Sequence, residues 1–188
     1  KELLYKIHEI ANDFFQNQLF KTEEGKTIGL SYFKERELRN EIIQKFQLGY
    51  SPENKFAFTD FALEKGYKKE ILEKSGLSIF PENSEKGIDR FRGRVLFPIH
   101  SFSGRVLGFG GRILNNSLKT AKYLNSPETD IYHKSDVLYG LNQSKQAISK
   151  HNLCLLVEGY MDVISLHQSG IENVVSSSGT ALSINQIK

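Results

Sequence analysis

The sequence has a single cysteine, Cys154, and no long apolar run. A lone cysteine excludes a disulfide within the chain and a cysteine-rich zinc site. No apolar segment approaches the roughly 20 residues that a membrane-spanning helix needs. No secretory signal peptide is visible where the helical pattern opens at Glu2. We therefore expect a globular, cytoplasmic protein without a membrane partner.

Several catalytic patterns are also missing. The five histidines form no metal-ligand spacing, and neither a nucleophilic triad nor a phosphate loop ending in Gly-Lys-Ser/Thr is present. The run from Gly108 to Arg112 lacks the third glycine of a dinucleotide fingerprint and leads to no helix, which excludes that role. We interpret it as a β-bulge or sharp bend that frees Arg112.

The apolar spacing predicts a mixed fold. Residues 2–20 place apolar side chains on one helical stripe. The runs 95–99 and 105–109 read as a β-hairpin, whereas residues 115–130 have loop composition. From residue 153 onward, a strand, a helix and a second strand are typical of a parallel α/β unit. The predicted fold class is α/β: a mixed α+β part followed by a partial parallel α/β part.

Positive charge is concentrated in one region. The net charge is only +3, but five of the seven arginines lie between positions 90 and 112. Such an excess is expected for a polyanionic partner, although a solvated basic face would have the same composition. On an extended chain Arg90, Arg92 and Arg94 would share one face and form a phosphate-binding edge. A charged edge strand is the alternative.

Two further segments could carry chemistry. Glu158 follows an apolar strand and precedes a glycine, at the sheet edge where ligands of parallel sheets bind, and Asp162 lies four residues later. Two carboxylates there suit a hard cation such as Mg²⁺, while an acid at a helix start has a purely structural explanation. In the loop Lys122–Asn125, lysine beside Tyr123 can combine a phosphate contact with base stacking.

In order and spacing, these segments resemble the bacterial DnaG-type DNA primases. The resemblance covers nearly the whole chain and is strongest from residue 90 to 180. The matching stretches are Arg90–Ile99, Gly104–Arg112, Lys122–Thr129, Tyr139–Leu141 and Val157–Val163.

The resemblance implies a basic subdomain over residues 1–150 and the first part of a Toprim metal-binding domain over 151–188. It implies that Glu158 and Asp162 belong to a site for Mg²⁺ or Mn²⁺. It also implies a glycine loop around Gly179 and a groove for nucleotide and template lined by Arg36, Arg90, Arg92, Arg94, Arg112, Lys122, Tyr123, Asn125 and Lys134.

The implied activity of the parent protein is metal-dependent synthesis of short RNA primers. Its partners would be single-stranded DNA template, ribonucleoside triphosphates, the RNA primer–DNA hybrid and a replicative DNA helicase. A later Asp-x-Asp pair, a zinc-binding amino-terminal part and a helicase-binding carboxyl-terminal part do not occur in these residues. We therefore expect a fragment truncated within the Toprim domain and inactive alone. A module that only binds single-stranded nucleic acid, or another Toprim enzyme such as a nuclease or topoisomerase, would be the alternatives.

Overall fold

The computed structural model describes residues 1–82, 84–115, 119–178 and 181–188. The prediction for Gly179 therefore lies outside the described residues. Helices and strands are mixed throughout, so the α/β fold class is confirmed. The helices are α1 Glu2–Lys21, α2 Ser31–Glu35, α3 Asn40–Lys45, α4 Ala57–Glu64, α5 Lys69–Ser75, α6 Leu141–His151, α7 Tyr160–Gln168 and α8 Ile184–Ile187, with a π-helical stretch at Gly25–Leu30 and a 3₁₀ turn at Lys134–Asp136. The strands are β1 Gly49–Ser51, β2 Ser78–Ile79, β3 Ile88–Asp89, β4 Arg94–His100, β5 Val106–Ile113, β6 Tyr123–Asn125, β7 Leu155–Val157 and β8 Val174–Ser176.

The centre of the fold is an antiparallel sheet in the order β1-β4-β5-β6. Its strands β4 and β5 are buried along their whole length, which matches the predicted hairpin. Helix α1 packs against β1 and β5 through the predicted apolar stripe, including Leu4, Ile7 and Phe15, each at most 2% exposed. Burying such side chains contributes about 1.5–3 kcal/mol each to folding.

The second sheet is the pair β7 and β8, which is parallel and carries α7 between its strands. An isolated antiparallel bridge joins Tyr139 to Ser176, with N–O distances of 2.8 and 3.0 Å. The bridge and the Ser144 hydroxyl, which donates to the Val174 carbonyl at 2.7 Å, attach β8 to the preceding part of the chain. The boundary between residues 150 and 151 stays a prediction.

Two local predictions are wrong. Residues 90–93 form a turn and not an extended strand, because Gly93 adopts φ +69° and its N–H donates to the carbonyls of Ser51 and Pro52 at 2.8 and 3.1 Å. From Gly108 to Ile113, strand β5 pairs with β4 in continuous register and Arg112 is only 8% exposed, so a bulge does not free it; the register shift lies just before this segment, where Leu107 falls between the pairs Ile99–Gly108 and His100–Val106. The loop-like segment 115–130 also contains a short edge strand, β6.

No helix in the described part of the chain is long and apolar enough to cross a lipid bilayer.

A buried polar network surrounds His100. Its Nε2 contacts Gln47 Oε1 at 2.9 Å, and its Nδ1 contacts Gln143 Nε2 at 3.2 Å. Gln47 Oε1 also accepts from Asn12 Nδ2 at 2.8 Å. Burial lowers the pKa of His100 to about 4, so the neutral imidazole links Gln143 of α6 to Gln47, which in turn holds Asn12 of α1.

We expect this histidine to make the folded chain acid-sensitive. Between the ordinary pKa of 6.5 and the folded value of about 4, the unfolded chain binds a proton at this position that the folded chain does not. Stability is therefore complete above pH 6.5 and falls as the pH drops toward 4, by on the order of 3 kcal/mol. His8, whose pKa burial also lowers to about 4, adds a loss in the same window.

Urea unfolding at pH 7, 6 and 5 measures this effect. His100→Gln should reduce the dependence, since glutamine does not titrate, and the remainder should come from His8. The control His151→Gln, at an exposed histidine, should leave it unchanged. Equal pH dependence in His100→Gln and the original chain would contradict the assignment.

Candidate nucleotide and nucleic-acid cleft

The acid predicted at the end of a strand lies at the mouth of a cavity. Glu158 follows β7, and its backbone carbonyl accepts a 2.7 Å hydrogen bond from the Ser176 hydroxyl at the end of β8. Ser176 is fully buried, so the parallel pair fixes the turn that presents the exposed Glu158 side chain. Asp162 stands one helical turn away, and its Oδ2 accepts from the Gly159 N–H at 3.2 Å, which caps α7.

This acidic cavity has a volume of about 320 Å³. Its walls combine the two carboxylates with aromatic and polar side chains: Tyr123, Asn125, Glu158, Gly159, Tyr160, Asp162 and Ser178.

Tyr160 forms the floor of the acidic cavity. Its ring stacks on Phe97 at 5.1 Å and meets Tyr139 edge-on at 4.6 Å, and its hydroxyl donates to Asn125 Oδ1 at 2.5 Å. Burial raises its pKa to about 12, so it stays a neutral donor. Gly110 leaves room for the ring, because a Cβ there would lie 2.5 Å from ring atoms of Tyr160.

A second, basic cavity adjoins the first. Its volume is about 470 Å³. Three cations predicted from the sequence, Arg36, Arg112 and Lys122, line it. The full lining is Tyr32, Glu35, Arg36, Glu37, Arg112, Lys122, Tyr123, Met161 and Ser165. Tyr123 lines both cavities, so the two cavities are neighbours that share one aromatic wall, and we refer to them together as the cleft.

Tyr32 is a cleft residue that the sequence reasoning did not single out. The Arg36 guanidinium lies 3.6 Å from its ring centroid, and that of Arg112 lies 5.7 Å away. Such cation–π contacts hold both guanidinium groups beside the cavity. Burial raises the pKa of Tyr32. The spacing of four residues between Tyr32 and Arg36 was the available signal, since side chains four apart meet on a helix.

The three arginines predicted to share one face are separated by the turn at 90–93. Arg94 is only 4% exposed, and its guanidinium donates to the carbonyls of Gly111, Ala121 and Lys122 at 3.0–3.2 Å. Arg94 therefore holds the segment that carries Lys122 in place, and it lines neither the acidic nor the basic cavity. Burial lowers its pKa.

Arg90 also has an internal partner, since its Nη2 donates to the Asn125 carbonyl at 2.9 Å. Asn125 is thus held between Arg90 and Tyr160. Arg92 is exposed in the turn and lines neither cavity. Lys134 lines a small recess beside Asn125 and Ser178. That Arg90, Asn125, Arg92 and Lys134 contact a ligand directly stays a prediction.

The possible metal ligands at the acidic cavity are two carboxylates, those of Glu158 and Asp162. Mg²⁺ keeps several waters and is commonly held by one or two carboxylates, which Glu158 and Asp162 provide. Among the described residues, no three His, Cys, Asp or Glu side chains come together as a metal-binding group. The two carboxylates are oxygen ligands of the kind that a hard cation takes, and among the described residues they are too few for a closed structural site.

Comparison with known proteins identifies the family of the chain. A family model described as DNA primase catalytic core, N-terminal domain, matches residues 14–145, and a Toprim domain model matches residues 152–188. The chain belongs to the DNA primase catalytic core family. Within this family, the chain is 41% identical to a DNA primase of Synechococcus elongatus over all of its own length and 27% of that protein. It is 42% identical to a DNA primase of Deinococcus radiodurans over 95% of its own length and 30% of the relative.

Solved primase structures share the fold over the whole chain. The RNA polymerase domain of Mycobacterium tuberculosis primase DnaG superposes with a TM-score of 0.92 at 34% identity, covering 100% of this chain and 60% of that one. A DnaG primase catalytic domain bound to single-stranded DNA gives a TM-score of 0.87 at 39% identity, covering 99% and 58%. The chain thus spans less than a third of the curated primases that it matches and over half of the solved catalytic domains.

Proposed function

We propose that the protein synthesises short RNA primers on single-stranded DNA, and that the cleft described above is its nucleotide and template site. The observation that carries the proposal is that the basic cavity and the acidic cavity share Tyr123 as a wall. A polyanion lying along Arg36, Arg112 and Lys122 would reach the carboxylates of Glu158 and Asp162. Relatives described as DNA primases, and a related catalytic domain bound to single-stranded DNA, support the same function.

Different residues of the cleft would bind different parts of the nucleotide and the template. Arg36 and Lys122 would bind phosphate groups of the incoming ribonucleoside triphosphate, with Arg36 oriented by the Tyr32 ring. Tyr123 is 42% exposed and offers its ring face to a base. Asn125, fixed from two sides, would position the primer end beside Glu158.

Glu158 and Asp162 would hold Mg²⁺ or Mn²⁺. Such an ion, when bound, activates the attacking 3′-hydroxyl and stabilises the leaving pyrophosphate. The exposed Glu158 carboxylate has no hydrogen bond or ion pair among the described residues, and its backbone is fixed by Ser176. These features suit a group that meets a ligand at the edge of a rigid sheet.

The wider setting of the protein belongs to the same proposal. The curated relatives are bacterial DNA primases, which supports a cytoplasmic location and a role in replication. A zinc-binding segment and a replicative helicase partner are also proposed for the whole protein. A solved primase of Aquifex aeolicus contains zinc-binding and RNA polymerase domains together.

A basic residue of the cleft tests the template and nucleotide role. In the full-length protein, Lys122→Ala should weaken binding of single-stranded DNA or nucleotide by roughly 3- to 30-fold and reduce the salt slope by about one. Fluorescence anisotropy at several salt concentrations measures both. Arg92→Ala should also weaken binding, by a smaller factor, because Arg92 lines neither cavity.

The matched control is Lys150→Ala, which removes an exposed lysine at the end of α6. It should leave affinity and salt slope unchanged. Lys122→Ala and Arg92→Ala both giving the original affinity and slope would contradict the groove assignment.

A further inference from the structure

A third cavity, of about 760 Å³, lies away from the cleft and shares no lining residue with the acidic or basic cavity. It is formed where the start of α1 meets the connection between α4 and α5. We call it the lysine groove, and its defining residues are Leu3, Lys6, Lys65, Tyr67, Lys68 and Ile71. The proposed primer synthesis does not use this surface.

The floor and walls of the lysine groove are mostly apolar. Leu3 is half exposed, whereas Ile71 is 9% exposed and belongs to the hydrophobic core. Tyr67 packs partly against the same core. A half-exposed leucine beside core side chains leaves apolar surface that an incoming apolar side chain would cover.

The rim carries positive charge that the fold leaves available. Among the described residues, no ion pair involves Lys6, Lys65 or Lys68. Lys74, at the far end of the groove, pairs with Asp130 at 3.2 Å. Lys65 lies over the Phe61 ring, 5.4 Å from its centroid. Three lysines without an ion pair around an apolar floor are complementary to a ligand that alternates carboxylates and apolar groups.

The same features favour a peptide over a nucleic acid. The apolar floor provides no polar partner for sugars and phosphates. Glu70 also lines the groove, and its carboxylate can accept hydrogen bonds from peptide N–H groups. A phosphodiester backbone would meet the lysines, but it has no N–H donor for Glu70 and no apolar side chain to cover the floor of the groove.

We propose that the lysine groove binds an acidic amphipathic peptide segment of a partner protein. Large apolar side chains of the segment would lie on Leu3, Tyr67 and Ile71, and its carboxylates would meet Lys6, Lys65 and Lys68. This mode combines an apolar anchor with charge complementarity at the rim.

The test uses the full-length protein and a fluorescein-labelled synthetic peptide in which leucine and phenylalanine alternate with blocks of glutamate and aspartate. Anisotropy should show saturable binding. The double variant Lys65→Glu/Lys68→Glu should weaken it at least about tenfold, since two attractions become repulsions. Leu3→Gln should weaken it about threefold through lost apolar contact.

Controls separate the groove from general charge and from the cleft. Lys21→Glu/Lys150→Glu, with the same charge change at two exposed lysines, should bind the peptide as the original protein does. A peptide with serine in place of leucine and phenylalanine should bind about tenfold more weakly or not at all. Lys65→Glu/Lys68→Glu should keep primer synthesis and affinity for a single-stranded DNA oligonucleotide, which also shows that the variant folds.

Three results would overturn the proposal. The first is that the serine peptide binds as tightly as the original peptide. The second is that neither Lys65→Glu/Lys68→Glu nor Leu3→Gln changes the affinity for the peptide. The third is that the double variant still binds the peptide but no longer binds the oligonucleotide or phosphatidylglycerol vesicles. Should the double variant not fold, Leu3→Gln and the serine peptide decide alone. Peptide binding is measured separately from primer synthesis. A failure of the proposed polymerase function would therefore not change the outcome of the peptide test.

Discussion

Glu158→Gln in the full-length protein is expected to abolish primer synthesis, with a loss on the order of 10³-fold or more, while binding of single-stranded DNA changes less than about twofold. The substitution keeps the size of the side chain and removes its charge. The carboxylate is exposed at the acidic cavity, so its loss would remove the proposed cation ligand and leave the packing of the fold unchanged. DNA affinity would come from the basic cavity, which this substitution does not touch.

Primer synthesis on a single-stranded template and anisotropy with the same template measure the two quantities. Glu41→Gln is the matched control, because it makes the same change at an exposed acid of α3 outside both cavities. It should leave synthesis and binding intact. Synthesis within about tenfold of the original protein in Glu158→Gln would exclude the carboxylate from the chemistry. A binding-only module would show no synthesis before or after the substitution.

Gly110→Ala is expected to be the most destabilising of the small substitutions, lowering the free energy of unfolding by roughly 2–4 kcal/mol. A Cβ at this position would lie 2.5–2.6 Å from three atoms of Tyr160. The ring cannot move aside, since Phe97 and Tyr139 pack on it and Asn125 holds its hydroxyl. Strand β5 cannot move either, because it pairs with a strand on each side.

Thermal unfolding and urea unfolding measure the loss. Gly159→Ala serves as the control, since a Cβ there meets only the end of the Asp162 side chain, at 3.3 Å, and should cost little. In a double-mutant cycle, Gly110→Ala should cost much less in the presence of Tyr160→Leu, because the shorter side chain removes the clash. A Gly110→Ala chain with unchanged stability would refute the packing argument.

The parts of the fold that follow local periodicity could be predicted from the sequence. The apolar stripe of α1, the β4–β5 hairpin and the alternation of β7, α7 and β8 all depend on spacing within one segment. Glu158 could be placed at a sheet edge for the same reason, because parallel strands present their carboxyl ends to ligands.

The remaining features depend on partners distant in sequence. Residues 90–93 turn because Gly93 bonds to carbonyls of Ser51 and Pro52. Strand β6 forms because β5 offers it an edge, although its own composition is that of a loop. Arg94 is buried because three carbonyls from β5 and the following loop converge on it. Sequence spacing contains none of this information, so an arginine predicted at the surface lies inside.

The bridge between Tyr139 and Ser176 has a consequence for how ligands meet the cleft. One serine closes the bridge through its backbone and holds the Glu158 turn through its hydroxyl. The aromatic cluster under the acidic cavity and the edge that presents the carboxylate are therefore joined through one residue. We therefore expect little ordering entropy to be lost at this wall when a ligand arrives, so that under the proposed function the ordering cost would fall mainly on the exposed side chains of Lys122 and Tyr123.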